Sequence, residues 1–157
     1  MVPSLLFDIS GIDLDRVQHG VDAIEKVNPH RGCMRLLDGI IHASEDSKEA
    51  IAYHDAKPDA FWTAGHIPGR PIFPGVLQLE AAAQLSSWVT LTAIKQITFL
   101  GFVGVDVAKF RGQVVPGDRL IILAKQLELR PRRSIYATQG LVNGKQVFEA
   151  TITGMPI

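Results

Sequence analysis

The stretch that most narrows the choice of fold is VLQLEAAAQLSSWVTLTAI, residues 76–94, nineteen residues with neither glycine nor proline and with several strong helix formers. At about 1.5 Å per residue it makes a helix of roughly 28 Å. Val76, Leu77, Leu79, Ala81, Ala82, Ala83 and Leu85 leave no polar side through the first three turns, so other elements must wrap it. A bilayer span is a poor alternative, because Glu80, Gln78 and Gln84 would put a carboxylate and two amides into hydrocarbon.

The wrapping is expected downstream. KQITFLGFVGV, VAKFRGQVV, DRLIILAKQLEL, RSIYATQGLV and KQVFEATITG read as strands, punctuated by Gly101, Gly104, Pro116-Gly117, Pro131 and Asn143-Gly144. Asn143-Gly144 is the strongest turn signal, since a two-residue type I′ hairpin needs positive φ at both positions. In the last strand Phe148, Ala150 and Ile152 share one face, and Val147, Glu149 and Thr151 the other. Upstream, MRLLDGIIHASED and KEAIAYHDA read as two strands of a meander around the polar Ser44 to Ser47. Val21, Ile24 and Val27 recur at helical spacing and predict a short surface helix. Pro58, Pro68, Pro71 and Pro74 force a kinked loop ahead of the long helix. One buried helix with a largely antiparallel sheet is an α+β architecture. At 157 residues without a linker or repeat, a single domain is expected over 1–157, with 1–27 as an N-terminal extension.

Charge decides against two classes of partner. Lys plus Arg and Asp plus Glu each total 16, so no global field holds nucleic acid or an anionic membrane, and neither partner is expected. The single cysteine, Cys33, forms no internal disulfide and suits a reducing compartment. The N-terminal apolar stretch stops at Asp8 without a basic leader, so a cytoplasmic rather than secreted protein is expected.

The chemistry concentrates in GHIPGRPIFPGVLQLEAAAQL, residues 65–85. A carboxylate in so apolar a helix is costly unless paired, neutralised or used, and Gln84 follows Glu80 at i+4 on the same stripe. His66 precedes two Pro-Gly pairs. The second, Pro74-Gly75, opens the helix, where backbone N–H groups are unsatisfied and the dipole is positive. Amides of Gly75 and Val76 can therefore hold an oxyanion. Base, acid and electrophilic donors sit in one short segment.

That segment resembles the active-site signature of the 3-hydroxyacyl-acyl carrier protein dehydratases of fatty-acid synthesis, a hotdog-fold family read as GHFPGxPxxPGVLxLEAxAQ. His66, Pro68, Gly69, Pro71, Pro74, Gly75, Val76, Leu77, Leu79, Glu80, Ala81, Ala83 and Gln84 all match. NPHRGCMRLLDGI is similar to the family's LPHRYPFLLVDRV, and DVAKFRGQVVPGDRL to its DEARFKRPVVPGDQL, so the likeness runs from about Val21 to Thr153. Glu at position 80 resembles the broad-specificity dehydratases, whereas the branch that also isomerises the double bond carries Asp. This chain departs at Ile67, where the family has Phe, at Gly32 and Cys33, where it has Tyr-Pro, and at Gly39, where it has Arg.

The resemblance implies a hotdog fold, a helix from about Val76 to Ile94 wrapped by a curved antiparallel sheet. It implies a homodimer, in some members a trimer of dimers, with sites made from His66 of one subunit and Glu80 of the other. The implied reaction eliminates water from (3R)-3-hydroxyacyl thioesters, with His66 and Glu80 catalytic, Gly75 and Val76 as oxyanion donors, and Gln84 in support of Glu80. The implied partner is an acidic acyl carrier protein bearing a phosphopantetheine thioester, for which Lys109 and Arg111 are the candidate docking cations. Arg119, Arg130, Arg132 and Arg133 serve equally as solvated edge charges. A hotdog thioesterase and a non-catalytic acyl-binding module are the alternatives. No nucleotide motif appears, so no cofactor is expected. His30 and Cys33 have metal-like spacing without a second pair, so no metal is expected either.

Overall fold

A computed structural model describes residues 4–157, and Met1 to Pro3 of the expected extension lie outside the described residues. In chain order the elements are α1 (Val21–Glu25), a 3-10 turn (Gly32–Met34), β1 (Gly39–Ala43), β2 (Glu49–Asp55), α2 (Gly75–Ala93), β3 (Leu100–Phe110), β4 (Arg119–Arg130), β5 (Arg133–Val142) and β6 (Lys145–Pro156). The six strands form one antiparallel sheet in the order β1-β2-β4-β5-β6-β3. The α+β hotdog architecture expected from the sequence is the one observed.

The helix α2 lies against one face of the sheet because both are apolar there. Ala81, Ala82, Leu85, Trp88 and Val89 pack against Leu120 and Ile122 of β4, Tyr136 of β5, and Phe148, Ala150 and Ile152 of β6. The predicted inward face of β6 is thus the inward face observed, although Val147 on the opposite face is also buried, against Gly112. Asn143 and Gly144 take φ 49° and 74° and join β5 to β6 as a hairpin.

Two sequence expectations need correction. KQITFLGFVGV and VAKFRGQVV are not separate strands. Their inner parts form the single strand β3, in which Gly104 and Val107 lie at irregularities of the pairing with β6 instead of ending it, while residues 95–99 and 111–115 lie outside any strand. Such bulges let a long strand bend with the sheet, so a glycine there marks curvature and not a turn. Met34 to Asp38 are likewise not strand, because Gly32–Met34 turns and Arg31, Gly32 and Gln84 take up that segment's hydrogen bonds.

The sheet's other face is covered too. Alternate residues of β4, Ile121 and Leu123, join Ile41, Ile51 and Leu141 in a second cluster closed by Phe7, with Leu6, Ile9, Ile12 and Leu14 of the N-terminal segment packed on it. The Leu6 N–H donates to Gln139 Oε1, whose amide donates to the Ser4 carbonyl, while Lys125 Nζ donates to the Leu6 carbonyl. This explains why β4 reads as an unbroken apolar run, LIILA: it is buried on both faces.

Candidate active site

Glu80 lies in the second turn of α2, half-buried, and two donors converge on one of its oxygens. Gln84 Nε2 donates to Oε1 at 2.9 Å, and His30 Nε2 lies 3.3 Å from the same atom. Burial pushes the carboxyl pKa up, but the hydrogen bonds from His30 and Gln84 and the His30 charge outweigh it, and the pKa ends below its usual value. Glu80 is therefore a carboxylate at neutral pH. It borders a pocket of about 210 Å³ together with His30, Gln84, Phe102, Ser134 and Ile152. Ser134 Oγ is buried there without a partner among the described residues.

Gln84 is more than a neighbour of Glu80. Its side chain also donates to the Met34 carbonyl at 2.7 Å and accepts from the Leu36 N–H at 2.9 Å, while its own carbonyl accepts from Asn28 Nδ2 at 2.8 Å. Three hydrogen bonds thus fasten the segment 28–36 to the helix through Gln84, beside the contact of His30 with Glu80.

His66 sits in the proline-rich loop. Its backbone N–H bonds the Trp62 carbonyl, and Nδ1 lies 2.6 Å from the Ile72 carbonyl. A carbonyl only accepts, so Nδ1 carries the proton and, in the neutral ring, Nε2 keeps its lone pair. The next residue, Ile67, has φ 61°, a left-handed conformation that costs a β-branched residue roughly 1–2 kcal/mol. The loop thus holds local strain beside the imidazole.

At the head of α2 the Pro74 carbonyl accepts from the Leu77 and Gln78 amides, while those of Gly75 and Val76 have no acceptor among the described residues. The sequence gives Gly75 a role only through its amide. In the structure its Cα packs under the Phe110 ring, where a Cβ would come within 2.8 Å of Cε1. Phe110 itself is half-exposed at the end of β3. Lys109 is also exposed, and Arg111 is held by Glu149 at 2.6 Å.

Within the chain, Glu80, Gln84 and the pocket come together, as do His66 and the loop that leads to Gly75. No hydrogen bond or ion pair among the described residues joins His66 to Glu80, and His66 does not line the Glu80 pocket. That pocket instead runs beside β3, an edge strand with Phe102, Val103, Val105 and Val107 exposed. Sequence reasoning missed His30 as a partner of Glu80, and its only signal was its place in NPHRG. Cys33 is exposed, and no group of three or more His, Cys, Asp or Glu among the described residues is placed to hold a metal.

Residues 28–151 match the FabA-like domain family. The chain is 36% identical over 134 residues to the 3-hydroxyacyl-[acyl-carrier-protein] dehydratase FabZ of Streptococcus gordonii, covering 85% of this chain and 94% of that one. Its fold is similar to the dehydratase heterocomplex ApeI:P from Xenorhabdus doucetiae, with a TM-score of 0.74 at 14% identity, covering 85% and 90% of the two chains. It is also similar to a mutant thioesterase from Pseudomonas aeruginosa, with a TM-score of 0.67 at 13% identity, covering 90% and 98%. Both chemistries therefore use this fold.

Proposed function

Since this chain belongs to the FabA-like domain family, we propose that it dehydrates (3R)-3-hydroxyacyl thioesters, carried on acyl carrier protein, to trans-2-enoyl thioesters in cytoplasmic fatty-acid biosynthesis. The observation that carries this reading is the clamped Glu80 carboxylate, facing a pocket on the helix whose first two amides have no acceptor among the described residues.

In this scheme His66 Nε2 takes the proton from C2, and the negative charge that develops on the thioester oxygen is held by the Gly75 and Val76 amides at the positive end of α2. The C2 electron pair then forms the double bond as the C3–O bond breaks. The departing hydroxide needs a proton. Glu80, ionised at rest, can deliver only a proton it has first received, so its first task is to accept a hydrogen bond from the 3-hydroxyl and hold it in place. The proton balance closes if the His66 imidazolium returns the C2 proton to that oxygen, a syn elimination through one base that leaves water and a neutral ring.

Completion of the site requires a second copy. We assign it to the β3 edge, whose exposed Phe102, Val103, Val105 and Val107 suit burial and whose first residues border the Glu80 pocket. His66 of one subunit then serves Glu80 of the other, and such dimers can assemble further into a trimer of dimers. The acidic carrier docks at Lys109, with Arg111 beside it partly neutralised by Glu149.

The test is hydration of a crotonyl thioester, followed by loss of enoyl absorbance. Release of free thiol in place of hydration would make the chain a thioesterase, and neither reaction would leave a binding module. The shared site is tested by refolding His66→Ala chains together with Glu80→Gln chains. Activity should return in the mixed dimers, each with one intact site. Stable mixed dimers without activity refute the split.

A further inference from the structure

The scheme above gives no task to His30, yet the chain goes to some length to place it. Asn28 Nδ2 and the Leu36 N–H bond the backbone and side chain of Gln84 on either side of it. Arg31, next in sequence, turns back so that Nη1 donates to the Asn28 and His30 carbonyls and Nη2 to the Glu25 carbonyl. The loop that carries the ring is therefore pinned at both ends and along its backbone. The ring's Nε2 lies 3.3 Å from Glu80 Oε1, while its Nδ1 is buried with no partner among the described residues. No second hydrogen bond of its own competes to turn the ring away from Glu80. A buried polar atom left unpartnered is uncommon and asks for a reason.

We propose that His30 is a positioning residue for the elimination: with Gln84 it clamps Oε1 of Glu80, so that Oε2 alone is presented to the substrate hydroxyl in one orientation. The inference rests on the dehydratase reading for what the oxygen does, but the clamp is a matter of geometry. Both donors converge on Oε1, and Oε2 takes neither bond. A free glutamate samples several rotamers, and an elimination in which one imidazole serves both carbons needs the C3–O bond held against the C2–H bond. The other charged groups of the pinned loop are engaged elsewhere. Arg31 and Arg35 pair with Glu25, and Arg35 also with Asp38, which leaves His30 as the ionisable group that acts on Glu80.

Two variants test this with two readouts. His30→Leu removes the donor at similar bulk, and His30→Gln keeps an N–H donor. On a 3-hydroxyacyl pantetheine thioester, His30→Leu should lower kcat about tenfold or more with KM within about threefold, and His30→Gln should recover most of the loss. A ¹³C label on the Glu80 carboxyl should titrate at higher pH in His30→Leu, because one hydrogen bond to the ionised form is gone, and near its wild-type position in His30→Gln. Unchanged kcat in His30→Leu overturns the proposal, as do equal losses in both variants with an unmoved carboxyl titration. A wild-type chain that dehydrates nothing overturns the reaction reading instead, and the carboxyl titration then decides the clamp by itself.

Discussion

Gln84→Leu is the substitution whose cost can be worked most directly from the structure. The side chain is 1% exposed and makes three hydrogen bonds, to the Met34 carbonyl, the Leu36 N–H and Glu80 Oε1. Leucine fills similar space, so the change is mainly polar. It leaves one backbone acceptor and one backbone donor without partners, at about 1–3 kcal/mol each, while Glu80 keeps His30. The Glu80 pocket borders this position and lets water reach part of the vacated network, which places the net cost in the lower half of the summed range, at about 3 kcal/mol. For a chain of this size that corresponds to a fall in Tm of about 6–12 °C. The assay is urea unfolding of wild type and variant at one fixed protein concentration, because association contributes to apparent stability. A loss below about 1 kcal/mol would refute the view that Gln84 fastens segment 28–36 to the helix.

Four further outcomes are expected. His66→Ala should lower dehydratase turnover at least about a hundredfold with an unchanged circular dichroism spectrum. Phe7→Ala should cost about 3 kcal/mol in chemical unfolding yet leave kcat unchanged, since Phe7 lies on the face of the sheet away from Glu80. Lys109→Glu with Arg111→Glu should raise KM for the carrier-bound substrate, with a loss that shrinks as salt rises, and spare a pantetheine thioester. Burial holds the His54 pKa below 6.5 against the pull of Asp38, so the fold favours the neutral ring. The unfolded chain then takes the proton first, and the stability due to His54 is complete above pH 6.5 and lost as pH falls below it. His54→Asn should flatten that decline in unfolding curves collected from pH 7 downward.

What the sequence made legible was whatever a local pattern controls. The long helix begins one residue earlier than the apolar run predicts, at Gly75, and ends one residue earlier, at Ala93. Asn143-Gly144 turns because only a few residue types tolerate two successive positive φ values. Gly101 and Gly104 misled, because a glycine within a strand, whether beside a close-packed side chain as Gly101 is beside Ile157 or at a bulge as Gly104 is, looks like one that ends it until the partner strand is known. Met34 to Asp38 misled for a related reason: its apolar residues serve a loop whose hydrogen bonds come from Gln84, about fifty positions away. His66, Glu80 and Gln84 stood out through their spacing in one segment. His30 did not, since its meaning depends on a fold that lays residue 30 across residue 80.

The N-terminal segment has a bearing on the order in which this molecule is completed. Leu6 and Ser4 bond Gln139, and Lys125 bonds Leu6, across separations of 133, 135 and 119 residues. Contacts so distant along the chain close the largest loops and are intrinsically slow to form. During synthesis residues 4–14 emerge long before β4 and β5, and they have no surface to dock on until both strands are paired. Until then Ile51, Ile121, Leu123 and Leu141 present an uncovered apolar stripe to every other nascent or half-folded chain nearby. The part of the protein made early is thus seated late, and the interval between the two is its period of greatest exposure to misassembly.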